Sequence, residues 1–275
     1  MLHFRLVTLL VLLISLPVAR SQSVSLLPRP IKALLVCGGC CHDYDVQKTV
    51  LKAGIEARAR VIVDTVQQGG TARESKIPLY ADPLWARGYD VILHDDCFGM
   101  VDDTNWVAEI LAPHRAGIPG VNLHCAAHSY RMAPDLEWPK YLGIRSLKHG
   151  PASPIEVRSL AVTHPILAGL SWRDWETGKE ELYNNFTIYE TSLALQRGRQ
   201  GAEDCVVTWV NNYGKTRVFS TTLGHFNETV SDPRYLELVT RGLLWACDRL
   251  NADYLRPIPV IPTAKPQFRS EKEAP

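Results

Sequence analysis

What the sequence lacks narrows its function first. It has no charge excess, with 30 basic side chains against 29 acidic ones. Setting aside a leader that carries Arg5 and Arg20 leaves 28 against 29, so nothing electrostatic points to nucleic acid or an anionic membrane as partner. The Gly38-Gly39 turn is followed by neither G-x-G-x-x-G nor a Walker lysine, which argues against a nucleotide-phosphate cradle. Cys37-Gly-Gly-Cys40 has no second Cys/His pair at zinc-site spacing. Cys41 intervenes before His42, so the haem-attachment pattern C-x-x-C-H is missed by one residue. There is no internal repeat. The one long apolar run, Leu6 to Leu16, is short for a membrane span of ~20 residues.

That run reads as a secretory leader. Arg5 supplies the positive start and Ala19-Arg20-Ser21 fits the small-x-small cleavage rule. Residues 1–21 are therefore expected to be removed, giving an exported protein, periplasmic or extracellular. Asn251 onward is Pro-rich and charged and reads as an extended tail over 251–275. The seven cysteines, 37, 40, 41, 97, 125, 205 and 247, are too sparse for a disulfide scaffold, although export permits disulfides. Several sit in apolar runs that suit buried thiols. Asn185-Phe-Thr187 and Asn227-Glu-Thr229 fit the glycosylation pattern, relevant only in a host that glycosylates.

What is present is a βαβ grammar. Ile31–Cys37 is a continuous apolar run, as in a buried parallel strand. After a tight turn through Gly38–Asp43, Val46, Val50, Leu51 and Ile55 recur at helical spacing, and Arg60–Thr65 is a second strand. Residues 66–88 read as an irregular excursion at the edge of a site. Tyr89–Leu93 is the next strand and ends in His94-Asp95-Asp96. A helix around Trp106, Ile110 and Leu111 is expected to be cut short by Pro113. Gly120–Leu123 is a short strand that stops on His124, Cys125, Ala126, Ala127 and His128. Residues 133–187 look irregular, and the tryptophans and tyrosines over 138–189 suit core packing or a sugar-stacking wall. Ile188–Leu195, Cys205–Val210 and Arg217–Leu223 read as strands, the last two joined as a hairpin through Asn211-Asn212-Tyr213-Gly214-Lys215. Asp232 then caps a helix with Pro233 at its first position and Leu236, Val239, Leu243 and Ala246 on its apolar face.

In a parallel sheet the carboxyl ends of the strands share one edge, where ligands bind. His42, Asp96, His124, Cys125 and His225 all follow strand ends, so a common site there is expected. Its leading form is a pocket with His42, His124, Glu181 and His225 as the catalytic groups. Neutral imidazoles with one carboxylate can hold a divalent metal such as zinc, with His42, His124 and His225 as ligands. The same groups can instead move a proton beside a keto group without metal. Asp43, Tyr44, Asp96, His128 and Arg131 are candidates for substrate binding.

The stretches CCHDY, HCAAHSYR, HPI, EELY, GKTRVFSTTLGH and RGLLWA together resemble the ThuA-like (trehalose utilisation) family, over about Ile31 to Leu250. The resemblance implies an α/β, flavodoxin-like fold of the class I glutamine amidotransferase type: a doubly wound, mostly parallel sheet with an antiparallel C-terminal hairpin. It also implies a sugar or oxidised sugar as partner, of trehalose or 3-keto-sugar type, and the positions matching its motifs are His42, Asp43, Tyr44, His124, Glu181 and His225. The amidotransferase likeness opens a second chemistry, a Cys125–His225–Glu228 thiol hydrolase with Cys125 at the strand-to-helix elbow. Leu123 stands where that elbow wants a small residue. A non-catalytic sugar-binding module and a homo-oligomer remain open. His124 and Cys125 can both face the crevice only if the chain turns between them.

Overall fold

The computed structural model describes residues 27–257. The expected leader and the tail beyond Pro257 lie outside the described residues. In chain order the elements are β1 (Ile31–Gly39), α1 (Tyr44–Arg58), β2 (Val61–Gln67), β3 (Val91–Cys97), α2 (Thr104–Arg115), β4 (Gly120–Leu123), α3 (Glu137–Leu142), β5 (Ile144–Arg145), β6 (Ser153–Ser159), α4 (Pro165–Ala168), β7 (Trp175–Glu180), β8 (Thr187–Ile188), β9 (Ser192–Gln200), β10 (Glu203–Tyr213), β11 (Thr216–Thr221), α5 (Asn227–Ser231) and α6 (Pro233–Ala246). Short 3-10 turns cover Pro78–Ala81 and His124–Ala127.

One nine-stranded sheet runs in the order β2-β1-β3-β4-β11-β10-β9-β6-β7. The first five run parallel to one another. Their order is that of a flavodoxin-like fold, whose ligand crevice opens where the chain reverses direction, between β1 and β3. The expected hairpin is present as β10–β11, but it is extended by antiparallel β9, β6 and β7. β6 and β7 fall in the stretch read as irregular. Pro154 and Gly178 interrupt them and the β6–β7 register slips between Pro154 and Glu156, so the alternation that marks a strand is broken.

β1 has a continuous apolar sequence because both its faces are covered. Ala33 and Leu35 pack with Leu51 and Ile55 of α1 and with α6, while Leu34 and Val36 pack with Ile110 and Leu111 of α2 and Trp138 and Tyr141 of α3. On α6 the expected face of Leu236, Val239, Leu243 and Ala246 is buried. Asp232 caps that helix by accepting from Arg234 N.

Three readings are corrected. β3 continues through His94, Asp95 and Asp96 to Cys97, every residue of it buried. Polar side chains hid these last residues of a strand flanked on both faces. Pro113 does not stop α2, which runs to Arg115. Its missing N–H frees the Glu109 carbonyl, which accepts from Trp85 Nε1 at 3.4 Å. Residues 251–256, read as the start of a loose tail, dock beside the α1–β2 turn. Arg60 N donates to Tyr254 O at 2.7 Å and Arg256 N to Arg58 O at 2.8 Å, with the Tyr254 side chain buried.

Candidate functional site

The carboxyl ends of β1, β3, β4 and β11 meet around one cavity of about 300 Å³, lined by Cys40, Cys41, His42, Arg73, Cys97, Gly99, Cys125, His128, Arg131, His149, Glu181, Tyr183 and His225. β1 is pressed tightly onto β3 there. Gly39 has φ +98°, and a Cβ on it would lie 2.3 Å from the Cys97 carbonyl oxygen. Only glycine permits this approach, and it delivers Cys40, Cys41 and His42 to the cavity rim.

At the end of β4 the chain turns sharply at His124, whose φ is +40°. A positive φ in a bulky residue costs of order 1–3 kcal/mol, and such strain clusters at functional sites. The elbow residue is therefore His124, not Cys125, and it has Asn122 and Ala126 two residues to either side. The turn resolves the alternation problem. His124 reaches the imidazole cluster while Cys125 lines the cavity and is bonded to Cys97.

His124 Nδ1 lies 2.6 Å from Thr222 O. A carbonyl only accepts, so Nδ1 carries the hydrogen and Nε2 of the neutral ring is the lone-pair side. Around that Nε2 lie His225 Nδ1 at 3.1 Å, Tyr183 Oη at 3.2 Å and Glu181 Oε2 at 3.6 Å. Glu181 Oε2 also stands 3.3 Å from His225 Nδ1 and 3.5 Å from His149 Nε2. Burial opposes the charge of Glu181, but hydrogen bonds and charge from His124 and His225, when those rings are protonated, outweigh it and hold the carboxyl below the usual carboxylate range.

His42 closes the cluster, its ring centroid 4.9 Å from that of His124 and 4.7 Å from that of His225. Both its ring nitrogens are buried without a hydrogen-bond partner. Burial first, then the two neighbouring imidazoles, push its ring down to about 2, so it is neutral near pH 7 with a lone pair free. An unsatisfied buried polar group of this kind costs about 1–3 kcal/mol. One nitrogen from each of His42, His124 and His225 lies within 4.8 Å of the others, and this is the group that can hold a metal ion with donors not already in disulfides.

The support for this cluster comes from neighbouring elements. Glu180 Oε2 accepts from His225 N and its Oε1 from Phe226 N, at 3.2 and 3.3 Å. Gln47 of α1 donates to His225 O at 2.9 Å. These contacts fix the loop after β11 and so aim His225.

The remaining candidates divide. His128 and Arg131 line the cavity. His128 Nε2 is 2.8 Å from Ser146 Oγ and its ring stacks on Tyr183 at 3.8 Å. Burial first, then Arg131, push His128 down to about 2. Arg131 donates one nitrogen to Leu147 O. Asp43 is instead the N-cap of α1, accepting from Val46 N and from Asn227 Nδ2. Tyr44 is buried against His42 and donates to Cys40 O. Asp96 is wholly buried, accepts from Tyr130 Oη at 2.6 Å and does not line the cavity. The Cys125–His225–Glu228 arrangement is not assembled. Cys125 is bonded to Cys97, His225 faces Glu181, and Glu228 is exposed at the start of α5.

Sequence reasoning missed Tyr183, His149, Arg73 and Cys97. Tyr183 carries a signal that could have found it, since it sits two residues after Glu181 in EELY and so returns to the same side of an extended chain. Among the described residues the aromatic wall is Tyr183 alone. Trp138, Trp172 and Trp175 are core residues, with Trp138 Nε1 donating to Ala126 O and Trp172 Nε1 to Glu237.

Comparison with known proteins fits this geometry. A ThuA-like protein from Parabacteroides merdae superposes with a TM-score of 0.65 at 20% identity, over 80% of this chain and 90% of that one. Another from Bacteroides uniformis gives 0.61 at 16%, over 82% and 95%. A protein of GMP synthase type from Thermoplasma acidophilum gives 0.53 at 12%, over 80% and 96%, so the flavodoxin-like fold is that of the glutamine amidotransferase type. No curated protein matches. The model of the trehalose utilisation family matches residues 46–246, and the chain belongs to that ThuA family.

Proposed function

We propose that this is an exported enzyme of carbohydrate metabolism that acts on a trehalose-type or 3-keto sugar through His42, His124, Glu181 and His225. The observation that carries this reading is the unpartnered imidazole of His42, which lines the cavity with His225 and packs on the buried ring of His124. Most buried polar groups are satisfied, so two unsatisfied nitrogens on one cavity-lining ring support a ligand there. In this reading His124 Nε2 takes up a proton from a carbon or hydroxyl beside a carbonyl through His225, which lines the cavity 3.1 Å away, and Glu181 stabilises the imidazolium that forms. His225 shares Glu181 and can return the proton on the other side of the substrate. Arg131 and Tyr183, which line the same cavity, orient the sugar.

The orphaned nitrogens of His42 and the nearby donors of His124 and His225 also fit a divalent cation such as zinc. When bound, such an ion supplies Lewis-acid polarisation of a carbonyl or hydroxyl oxygen. Its affinity is measurable by calorimetry on the wild type and on His42→Ala.

The test is incubation with 3-keto-glucosides followed by NMR in heavy water. His124→Ala should lower turnover at least ~100-fold, while Cys125→Ser keeps most of it. Wild-type activity in His124→Ala would sink the proposal. Tight sugar binding by the wild type with no turnover would make the chain a binding module instead.

A further inference from the structure

Four of the seven cysteines converge on the cavity, although the sequence scatters them from Cys40 to Cys125. Cys40 is bonded to Cys41, and Cys97 to Cys125. Between the two bonds, Cys40 Sγ lies 3.7 Å from Cys97 Sγ, which is van der Waals contact. The sulfurs thus form a continuous series of neighbours from Cys41 through Cys40 and Cys97 to Cys125. Cys41 is exposed and Cys40 half-buried, while Cys97 and Cys125 are buried. The other three cysteines do not line the cavity and stay free.

We propose that these four sulfurs are a thiol–disulfide exchange centre that passes two electrons between an external dithiol and the buried Cys97–Cys125 bond. The first step opens the accessible bond. A thiolate of the dithiol attacks Cys41 Sγ and Cys40 leaves as a thiolate; the reagent's second thiol then closes its own disulfide and releases Cys41. Cys40 thiolate attacks Cys97 Sγ next. The Cys40–Cys97 bond forms, the Cys97–Cys125 bond breaks, and Cys125 leaves as a thiolate that takes up a proton. Cys41 thiolate then attacks Cys40 Sγ, which restores Cys40–Cys41 and releases Cys97. The net result is oxidation of the dithiol by two electrons and reduction of Cys97–Cys125. Run backwards, the same steps let an external disulfide reoxidise the Cys97 and Cys125 thiols and leave as a dithiol. Arg73 and Arg131 line the same cavity as the four sulfurs. Exchange into the buried bond runs through Cys40, because the attacking thiolate must contact the sulfur that it attacks and Cys40 Sγ is the one in contact with Cys97 Sγ. The centre is independent of the imidazole reading, since it needs neither sugar nor metal.

The test traps the middle of the relay. In the full chain carrying Cys41→Ser and Cys125→Ser, mild oxidation of the folded protein should yield a Cys40–Cys97 bond, identified by alkylation and peptide mass mapping. Cys40 and Cys97 both remaining alkylatable would overturn the proposal. A second variant guards against misfolding of the first. In Cys41→Ser alone, Cys40 has lost its bonded partner and its thiolate should exchange into the buried bond, so that mass mapping finds Cys40–Cys97 beside a free Cys125; Cys97–Cys125 alone with Cys40 free counts against the relay. Kinetically, dithiothreitol should reduce Cys97–Cys125 at least about 10-fold more slowly when Cys40 and Cys41 are both serine, because the buried bond loses its accessible relay. An unchanged rate in a variant with native circular dichroism would also overturn it.

Discussion

His94 and His114 meet with their Nε2 atoms 3.0 Å apart, and His124 Nε2 meets His225 Nδ1 at 3.1 Å. The two contacts are nearly equal in length but differ in what surrounds them. Around the first pair every ring nitrogen has a partner. His114 Nδ1 donates to Ile118 O at 2.7 Å, which leaves its Nε2 to accept from His94, and His94 Nδ1 accepts from Tyr80 Oη. Burial pushes both rings down, His114 to about 4, so the pair is neutral and closed. Around the second pair capacity is left over. Glu181 is shared among three imidazoles, and both nitrogens of His42 have no partner at all. Buried histidines in contact do not by themselves mark a site; unmet hydrogen-bonding capacity beside a cavity is what sets the second cluster apart.

The sharpest way to break this comparison is to remove one ring from each cluster. His114→Ala should cost about 2–4 kcal/mol in urea unfolding, because Ile118 O, His94 and Tyr141 lose a buried partner together. His42→Ala should cost less than about 1 kcal/mol, since no hydrogen bond of its ring is lost, yet it should remove turnover and metal affinity. Equal losses from the two substitutions would mean that His42 is a core residue like His114.

The next contrast concerns the carboxyls of β3, which lie between the two clusters. Burial, together with Asp96 in the case of Asp95, raises Asp95 and Asp96 to about 7. A carboxyl raised on folding contributes stability that is fully present below its unfolded pKa of about 4 and is lost as pH rises through about 7. Asp96→Asn removes one such titration and keeps an acceptor for Tyr130. The drop in stability between about pH 5 and about pH 8 should therefore shrink, by on the order of 1–3 kcal/mol. The depressed imidazoles of His42 and His128 act with the opposite sign, losing stability as pH falls below about 6.5, but they are common to both proteins. Identical pH profiles from urea melts would show that Asp96 does not titrate in this range.

The smallest expected effect is at Tyr183. Tyr183→Phe removes one hydroxyl beside His124 Nε2 and keeps the stacking on His128. Turnover should fall by about 3–10-fold, the size of one neutral hydrogen bond, with KM little changed. A fall as large as that of His124→Ala would promote Tyr183 from a positioning residue to a proton carrier.

Much of the site is legible in the sequence because strand ends in parallel sheets converge. Strand order alone places His42, His124 and His225 together, and the family motifs add Glu181. Asp43, Tyr44 and Asp96 mislead for a common reason. Each is polar and adjacent to a site residue, but a cap, a buried phenol and a strand-interior carboxylate look the same in sequence as a ligand contact. Cys125 suggests itself as the elbow because the motif places it near the turn. Which of two neighbours takes the positive φ depends on how β4 is held between β3 and β11.

The sequence by itself determined the parallel core, since runs such as Ile31–Cys37 bury both faces and have few other folded uses. It also determined the hairpin turn, the cap of α6 and the clustering of imidazoles at one sheet edge. Only the tertiary structure decided the antiparallel extension, the pairing of the four cavity cysteines, and the division between satisfied and unsatisfied histidines. Those outcomes depend on contacts between residues far apart in the chain, such as His124 with Thr222 and Cys40 with Cys97. Local composition and periodicity carry no information about such partners, because packing sets which side chain meets which.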